Sequence, residues 1–212
     1  MIALVRTADP VGARHEGMSQ FIVDLRLPGI TIRPIRDLVG SEHFNEVFFD
    51  DVVLEADALI GVEGDGWNQV TAELAFERSG PERFLSTYPL LTALVGELTA
   101  GGPVDAGTRR ELGALVSRVW ALRRMSLAIA GALESGEAPE LAAAVVKDLG
   151  TRYENEVVDA ARLLESTPPD PGAPDGFARL LADAIRHAPG FTLRGGTNEV
   201  LRGIVARGMG LR

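Results

Sequence analysis

The sequence predicts an α+β fold, with a partial antiparallel β domain at the N-terminus followed by an up-and-down α-helical bundle. Three observations predict it. Short β-branched and aromatic runs separated by Pro/Gly turns occupy the first fifty-odd residues. From Trp67 onward the apolar spacing becomes helical, through Trp67, Val70, Leu74 and Phe76. Hydrophobic residues make up 46% of the chain but aromatics only 6%, so the core must be built from Leu, Val, Ile and Ala, which favours packed helices over a large β-sandwich.

Taken in order, Ile2-Ala3-Leu4-Val5-Arg6 is a short apolar strand, followed by a polar loop with Pro10, Gly12 and Gly17. Residues 20–25 are strand-like up to the turn at Pro28-Gly29. Residues 30–35 alternate β-branched and polar side chains, and Pro34 places them at an edge or a strand end. Residues 45–49 and 52–54 complete a group of about four strands, few for an independent sheet. The expected domains are therefore 1–62, a partial β domain, and 63–212, a helical bundle. Beyond the helix that begins at Trp67, helices are expected at 107–135 (introduced by Thr108), 139–165 (starting at Pro139), 175–187 (ending before Pro189-Gly190) and 197–208 (starting at Thr197). Long helices joined by short loops make antiparallel neighbours. Residues 166–176 are rich in Pro, Asp and Gly and read as a loop.

A net charge of −9 argues against nucleic-acid binding, which wants a basic face. With no cysteine, disulfides, thiolate metal sites and cysteine nucleophiles are excluded. His15, His43 and His187 lack metal-ligand spacing. No apolar run approaches the ~20 residues of a membrane span, and the N-terminus lacks the pattern of a signal peptide, so a cytoplasmic location is expected.

Three segments are candidate sites. Gly61-x-x-Gly64-x-Gly66 precedes a helix, but its spacing is that of no phosphate-binding loop, and a turn joining two domains accounts for it. Glu77 sits in Leu74-Ala75-Phe76-Glu77-Arg78; burial among apolar neighbours would raise its pKa and suit it to carbon-acid chemistry, whereas a surface Glu beside Arg78 is the plain alternative. Arg194-Gly195-Gly196-Thr197-x-Glu199 lets the backbone approach a ligand and offers a helix N-terminus to a phosphate; an ordinary helix capped by Thr197 explains the same residues. The helical arginines Arg109, Arg110, Arg118, Arg123, Arg124 and Arg152 read as solvated faces and ion-pair partners.

Taken together, several segments resemble one family. Residues 29–35, 44–52 and Leu59-Ile60-Gly61 are similar to the β domain of acyl-CoA dehydrogenases, and Gly64-Asp65-Gly66-Trp67 to the entry into their C-terminal helical domain. Leu149-Gly150-Thr151 resembles that domain's third helix. Gly195-Gly196-Thr197-Asn198-Glu199-Val200, with Arg202, Ile204 and Gly210-Leu211, resembles its terminal flavin-contacting motif. The resemblance covers nearly the whole chain in the family's order.

The resemblance implies FAD-dependent α,β-dehydrogenation of an acyl-CoA thioester, in which a glutamate takes the α proton and FAD the β hydride. In many members the base directly precedes the terminal Gly-Thr, a position held here by Gly195. In a second subgroup the base lies on the first C-terminal helix before an arginine, which implies Glu77 as the catalytic base and Arg78 as a substrate-side residue. Gly196, Thr197 and Glu199 would contact the ribose-pyrophosphate of FAD. An acyl-CoA substrate, an electron-transfer flavoprotein as acceptor and a homo- or hetero-oligomer, dimer or tetramer, are further implications.

The family's N-terminal helical domain and its tryptophan-threonine strand match no part of the sequence. Its Arg-x-x-Phe-Gly motif has no counterpart near residues 95–110, and Ser166-Thr167-Pro168-Pro169-Asp170 replaces its glycine-rich stretch. The expectation is accordingly a truncated chain or one subunit of a larger assembly, with a non-catalytic partner subunit as the alternative. Unpaired strand edges add an expectation of association.

Overall fold

The computed structural model describes residues 1–211, without the side chain of Ala75; Arg212, the last residue of the expected helical domain, lies outside the described residues. The chain divides into two compact units, residues 1–73 and 74–212. The described residues form short antiparallel strands followed by helices, the α+β order expected.

In the first unit, β1 (Ile2–Arg6), β2 (Met18–Ile22) and β5 (Leu59–Ile60) form one antiparallel sheet in the order β1-β2-β5. β3 (Ile30–Ile35) and β4 (Phe44–Phe49) form a separate two-stranded sheet, in register from Ile30 opposite Phe49 to Ile35 opposite Phe44. Ser19 is fully buried on β2, where its hydroxyl meets Thr7 Oγ1 and accepts from Gly64 N at 2.8 Å. Gly66 must be glycine, because a Cβ there would lie 2.8 Å from Ser19 Cα. The Gly61–Gly66 segment is thus a tightly packed turn. Val52–Leu54 is not a strand, contrary to expectation. Asp51 takes a left-handed φ of 49° that ends the ladder, and Val52 and Leu54 instead line an apolar pocket of about 310 Å³ with Ala3, Val5, Phe21, Val23 and Phe49. Their hydrophobicity serves packing rather than pairing.

The second unit holds the end of α1 (Gly66–Ser79), a 3-10 turn at Pro81–Arg83, and then α2 (Tyr88–Ala100), α3 (Ala106–Glu134), α4 (Glu140–Leu164), α5 (Gly176–Phe191) and α6 (Asn198–Gly208). The sequence reading assigned no helix to α2; its Leu90, Leu91 and Leu94 are buried, and Pro89 sits in the first turn, where its missing N–H is harmless. α3 is capped by Asp105, whose Oδ1 accepts from Gly107 N and Thr108 N, so Thr108 lies within the first turn rather than introducing the helix. α5 runs through Pro189 to the buried Phe191, one turn past its expected end. Burial of Phe191 holds the last turn in place despite the hydrogen bond that a proline removes.

α4 is the centre of this unit and packs against α2, α3, α5 and α6. Its buried face is mostly small: Ala143, Ala144, Val146, Gly150, Val157 and Ala161 are all 0% exposed or buried glycine. Small side chains let the neighbouring helices approach closely, and this closeness brings the candidate site together.

Candidate functional site

The end of α1, the Pro81–Arg83 turn, the middle of α4 and the loop between α5 and α6 converge on the glycine pair Gly195-Gly196. Both glycines have positive φ, 67° and 92°. The geometry turns the chain sharply into α6 and leaves no side chain facing the other elements. A Cβ on Gly195 would lie 3.2 Å from Arg83 Cζ, and one on Gly196 would lie 3.9 Å from an Arg78 guanidinium nitrogen. Two guanidinium groups therefore lie against two glycines.

Arg83 is 7% exposed. Its Nε donates to the Glu77 carbonyl at 3.0 Å and its Nη2 to Glu77 Oε1 at 2.7 Å. Glu82 contributes a second carboxylate, with Oε1 3.8 Å from Arg83 Nε. Of the two readings the sequence left open for Glu77, burial among apolar side chains is not what is found; its side chain is 47% exposed, as a surface Glu would be, and is held by the ion pair with Arg83. Phe76 and Glu77 are both exposed near the last turn of α1. Beside them, Phe76, Ser79, Gly80, Pro81, Ser126 and Leu133 line a recess of about 360 Å³. Arg78 is partly buried, and burial lowers its guanidinium below the ordinary value against the opposing pull of Glu77 and Glu140. Its Nε has no hydrogen-bond partner among the described residues.

Two buried charges on α4 anchor the loop before α6. Lys147, fully buried, donates to the Thr192 carbonyl at 3.0 Å and to Asn198 Oδ1 at 2.7 Å. Burial, then the nearby Arg83, push its ammonium down to about 8. One turn on, Thr151 Oγ1 donates to the Lys147 carbonyl and reaches Asn198 Oδ1 at 3.2 Å. Glu154, also fully buried, accepts from Ser86 N at 2.9 Å and from Arg194 Nη2. Arg194 lies over the Phe191 ring, 5.1 Å from its centroid. The sequence reading missed Arg83, Lys147 and Glu154, and named Asn198 only within the terminal motif, with no role of its own. The signal was present on α4: Lys147, Thr151 and Glu154 share one face with buried Ala and Val, and polar groups in an apolar stripe need partners.

Thr197 caps α6 as expected, its Oγ1 accepting from Val200 N at 3.4 Å. Glu199 is exposed in the first turn of α6. Asn198 is 1% exposed and its Nδ2 is unpartnered among the described residues. Open glycine backbone and a helix N-terminus suit an anionic group of a dinucleotide. These residues fit the phosphate end of a flavin cofactor.

Residues 64–210 match the family profile of the acyl-CoA dehydrogenase C-terminal domain. The chain belongs to the acyl-CoA dehydrogenase family. Among curated relatives it is 33% identical over 219 residues to acyl-CoA dehydrogenase FadE29 of Mycobacterium tuberculosis, a match covering 97% of this chain and 54% of that protein. It is 30% identical over 215 residues to FadE34 of the same organism, covering 97% of this chain and 28% of that protein. Among solved structures it resembles the Tcur3481-Tcur3483 steroid ACAD G363A variant, with a TM-score of 0.82 and 25% identity over 97% of this chain and 56% of that one. The chain thus spans about half the length of these relatives, or less. The resemblance read from the sequence is confirmed for family and fold, and in the family's frame Gly195 stands directly before the terminal Gly-Thr.

Proposed function

We propose that the chain supplies the C-terminal part of the active site of an FAD-dependent acyl-CoA dehydrogenase, working with the remaining half of the family's architecture from the same or a second chain. Glu77 is the base that takes the α proton of the acyl thioester. Arg78 lies on the substrate side, its guanidinium beside Gly196. Gly196, Thr197 and Glu199 hold the ribose-pyrophosphate of FAD at the start of α6, with the loop fixed by Lys147 and Glu154. Bound there, FAD would supply the acceptor for the β hydrogen and its electron pair, while Glu77 would take the α proton and a carbon–carbon double bond would remain. An electron-transfer flavoprotein would be the electron acceptor.

The observation that carries this reading is the Glu77 carboxylate, held at 2.7 Å by a guanidinium that packs against Gly195, where other members place their base. A working oligomer is part of the proposal. Support comes from structures named for two chains, the Tcur3481-Tcur3483 steroid ACAD G363A variant and, as a likeness in fold alone, the ChsE4-ChsE5 complex from Mycobacterium tuberculosis. A second reading is a non-catalytic partner subunit. Its support is that the group facing Gly195 is a cation and that Glu77 is already engaged in an ion pair.

The deciding experiment is the visible spectrum of the purified chain, alone and co-purified with a complementing chain, after addition of FAD and then of an anaerobic acyl-CoA panel. Flavin that bleaches with an acyl-CoA supports the dehydrogenase. In that enzyme Glu77→Gln should slow flavin reduction by about 100-fold or more while leaving the flavin bound. Bound flavin that no acyl-CoA reduces, or normal reduction by the variant, leaves the partner-subunit reading standing.

A further inference from the structure

We propose that Arg83 is a positioning residue that holds Glu77 in place for proton abstraction, and that Gly195 is glycine in this chain to make room for it. The inference rests on Glu77 as the base, and its test separates the two. Arg83 leaves a 3-10 turn whose backbone is pressed against α4: the space beside Gly150 is filled by the Arg83 carbonyl, 2.6 Å from where a Cβ would stand. From that fixed backbone the side chain reaches Glu77 by two bonds, one to its carbonyl and one to its carboxylate. The first fixes the end of α1, the second the carboxylate itself. A planar guanidinium makes both contacts at once, which the single ammonium of a lysine cannot reproduce.

The far side of the guanidinium rests on Gly195. A larger residue there meets Arg83 Cζ at 3.2 Å and Arg83 Nε at 3.3 Å, and it would also be strained at a φ of 67°. Gly195 and Arg83 therefore constitute one device: the side chain lost from the loop before α6 is replaced by an arginine that approaches from the opposite side and carries Glu77 with it. Glu82, 54% exposed and 3.8 Å from Nε, balances charge without making a hydrogen bond. With two carboxylates on one guanidinium, one of them remains to compensate the cation when Glu77 takes up a proton.

The test is a double-mutant cycle of Glu77→Gln and Arg83→Gln with two readouts. In the FAD-loaded enzyme, Arg83→Gln alone should lower the rate of flavin reduction about 10- to 100-fold with KM and flavin occupancy little changed. In the Glu77→Gln background it should cost only about twofold or less, because the two residues act as a unit. Arg83→Lys should keep the thermal midpoint closer to wild type than Arg83→Gln but recover little of the rate. In the chain without acyl-CoA, urea unfolding of the same four proteins should show coupling of about threefold or more in the unfolding equilibrium. Losses of rate that multiply, or an absence of coupling in unfolding, overturn the role of Arg83 while leaving Glu77 as the base. A wild-type flavin that no acyl-CoA reduces overturns the dehydrogenase reading and this inference with it, even if the ion pair is coupled.

Discussion

Glu154→Gln is the most informative single change to the scaffold of the site. The wild-type carboxylate is fully buried and ties three elements together: α4, which carries it; the segment before α2, through Ser86 N; and the loop before α6, through Arg194. Glutamine keeps the volume, so no cavity term enters. Its amide oxygen still accepts from one donor, but its NH₂ group must then face the other. One charge-assisted bond is lost, about 1.5–3 kcal/mol. Arg194, 32% exposed, also loses its anion but retains access to water, so the full loss expected for a wholly buried pair does not apply. The sum is a destabilisation of about 2–3 kcal/mol. Urea unfolding followed by far-UV circular dichroism measures it, and the thermal midpoint should fall by about 4–12 °C. Arg194→Met in the variant should add less than it does in the wild type, since the two residues share one interaction. A variant within about 0.5 kcal/mol of wild type would refute the reasoning, because it would mean that this buried carboxylate does not anchor the loop.

Three further predictions follow from the same site. Lys147 is depressed from 10.5 to about 8 in the folded state, so between those values the unfolded chain binds more protons and stability should rise with pH. Tyr153, raised above 10.0 by burial, opposes this rise only above that pH, so the gain is read between pH about 8 and 10, at about 2–3 kcal/mol, and Lys147→Met should flatten it. Gly150→Ala places a Cβ 2.6 Å from the Arg83 carbonyl and 3.1 Å from Phe84 Cβ. The overpacking, about 1–3 kcal/mol, should outweigh the helix-propensity gain of about 1 kcal/mol, and an unfolding midpoint raised above wild type would contradict it. Thr197→Ala should destabilise α6 by about 1 kcal/mol, and together with Glu199→Ala should speed loss of bound FAD on gel filtration; unchanged retention would remove these residues from the flavin site.

Much of the architecture was legible in the sequence because it depends on local pattern. The change near Gly61–Gly66 from short β-branched runs to helical spacing marked the two kinds of structure, and the starts of α4 and α6 followed from Pro139 and Thr197. The misreadings have physical causes. Val52–Leu54 is apolar because it lines a pocket, which a run of three residues cannot distinguish from pairing in a sheet. α2 carries a helical pattern of buried leucines that the sequence reading passed over, and α5 crosses Pro189 because the burial of Phe191 outweighs the loss of one backbone bond.

By itself, the sequence determined the fold class, the family and the loop that enters α6, since each is written in residues close together along the chain. Only the tertiary structure decided the environment of Glu77 and the partners of Gly195. The sequence left Glu77 either buried among apolar neighbours or at the surface beside Arg78; in the structure it is half exposed and its carboxylate meets Arg83, six residues further on. Lys147 and Glu154 reach the α6 loop across more than forty residues for Lys147 and forty for Glu154, held there by the close packing of a small-residue helix. Charges are visible in any sequence, but whether they are buried, paired or facing a glycine depends on which distant elements pack against them.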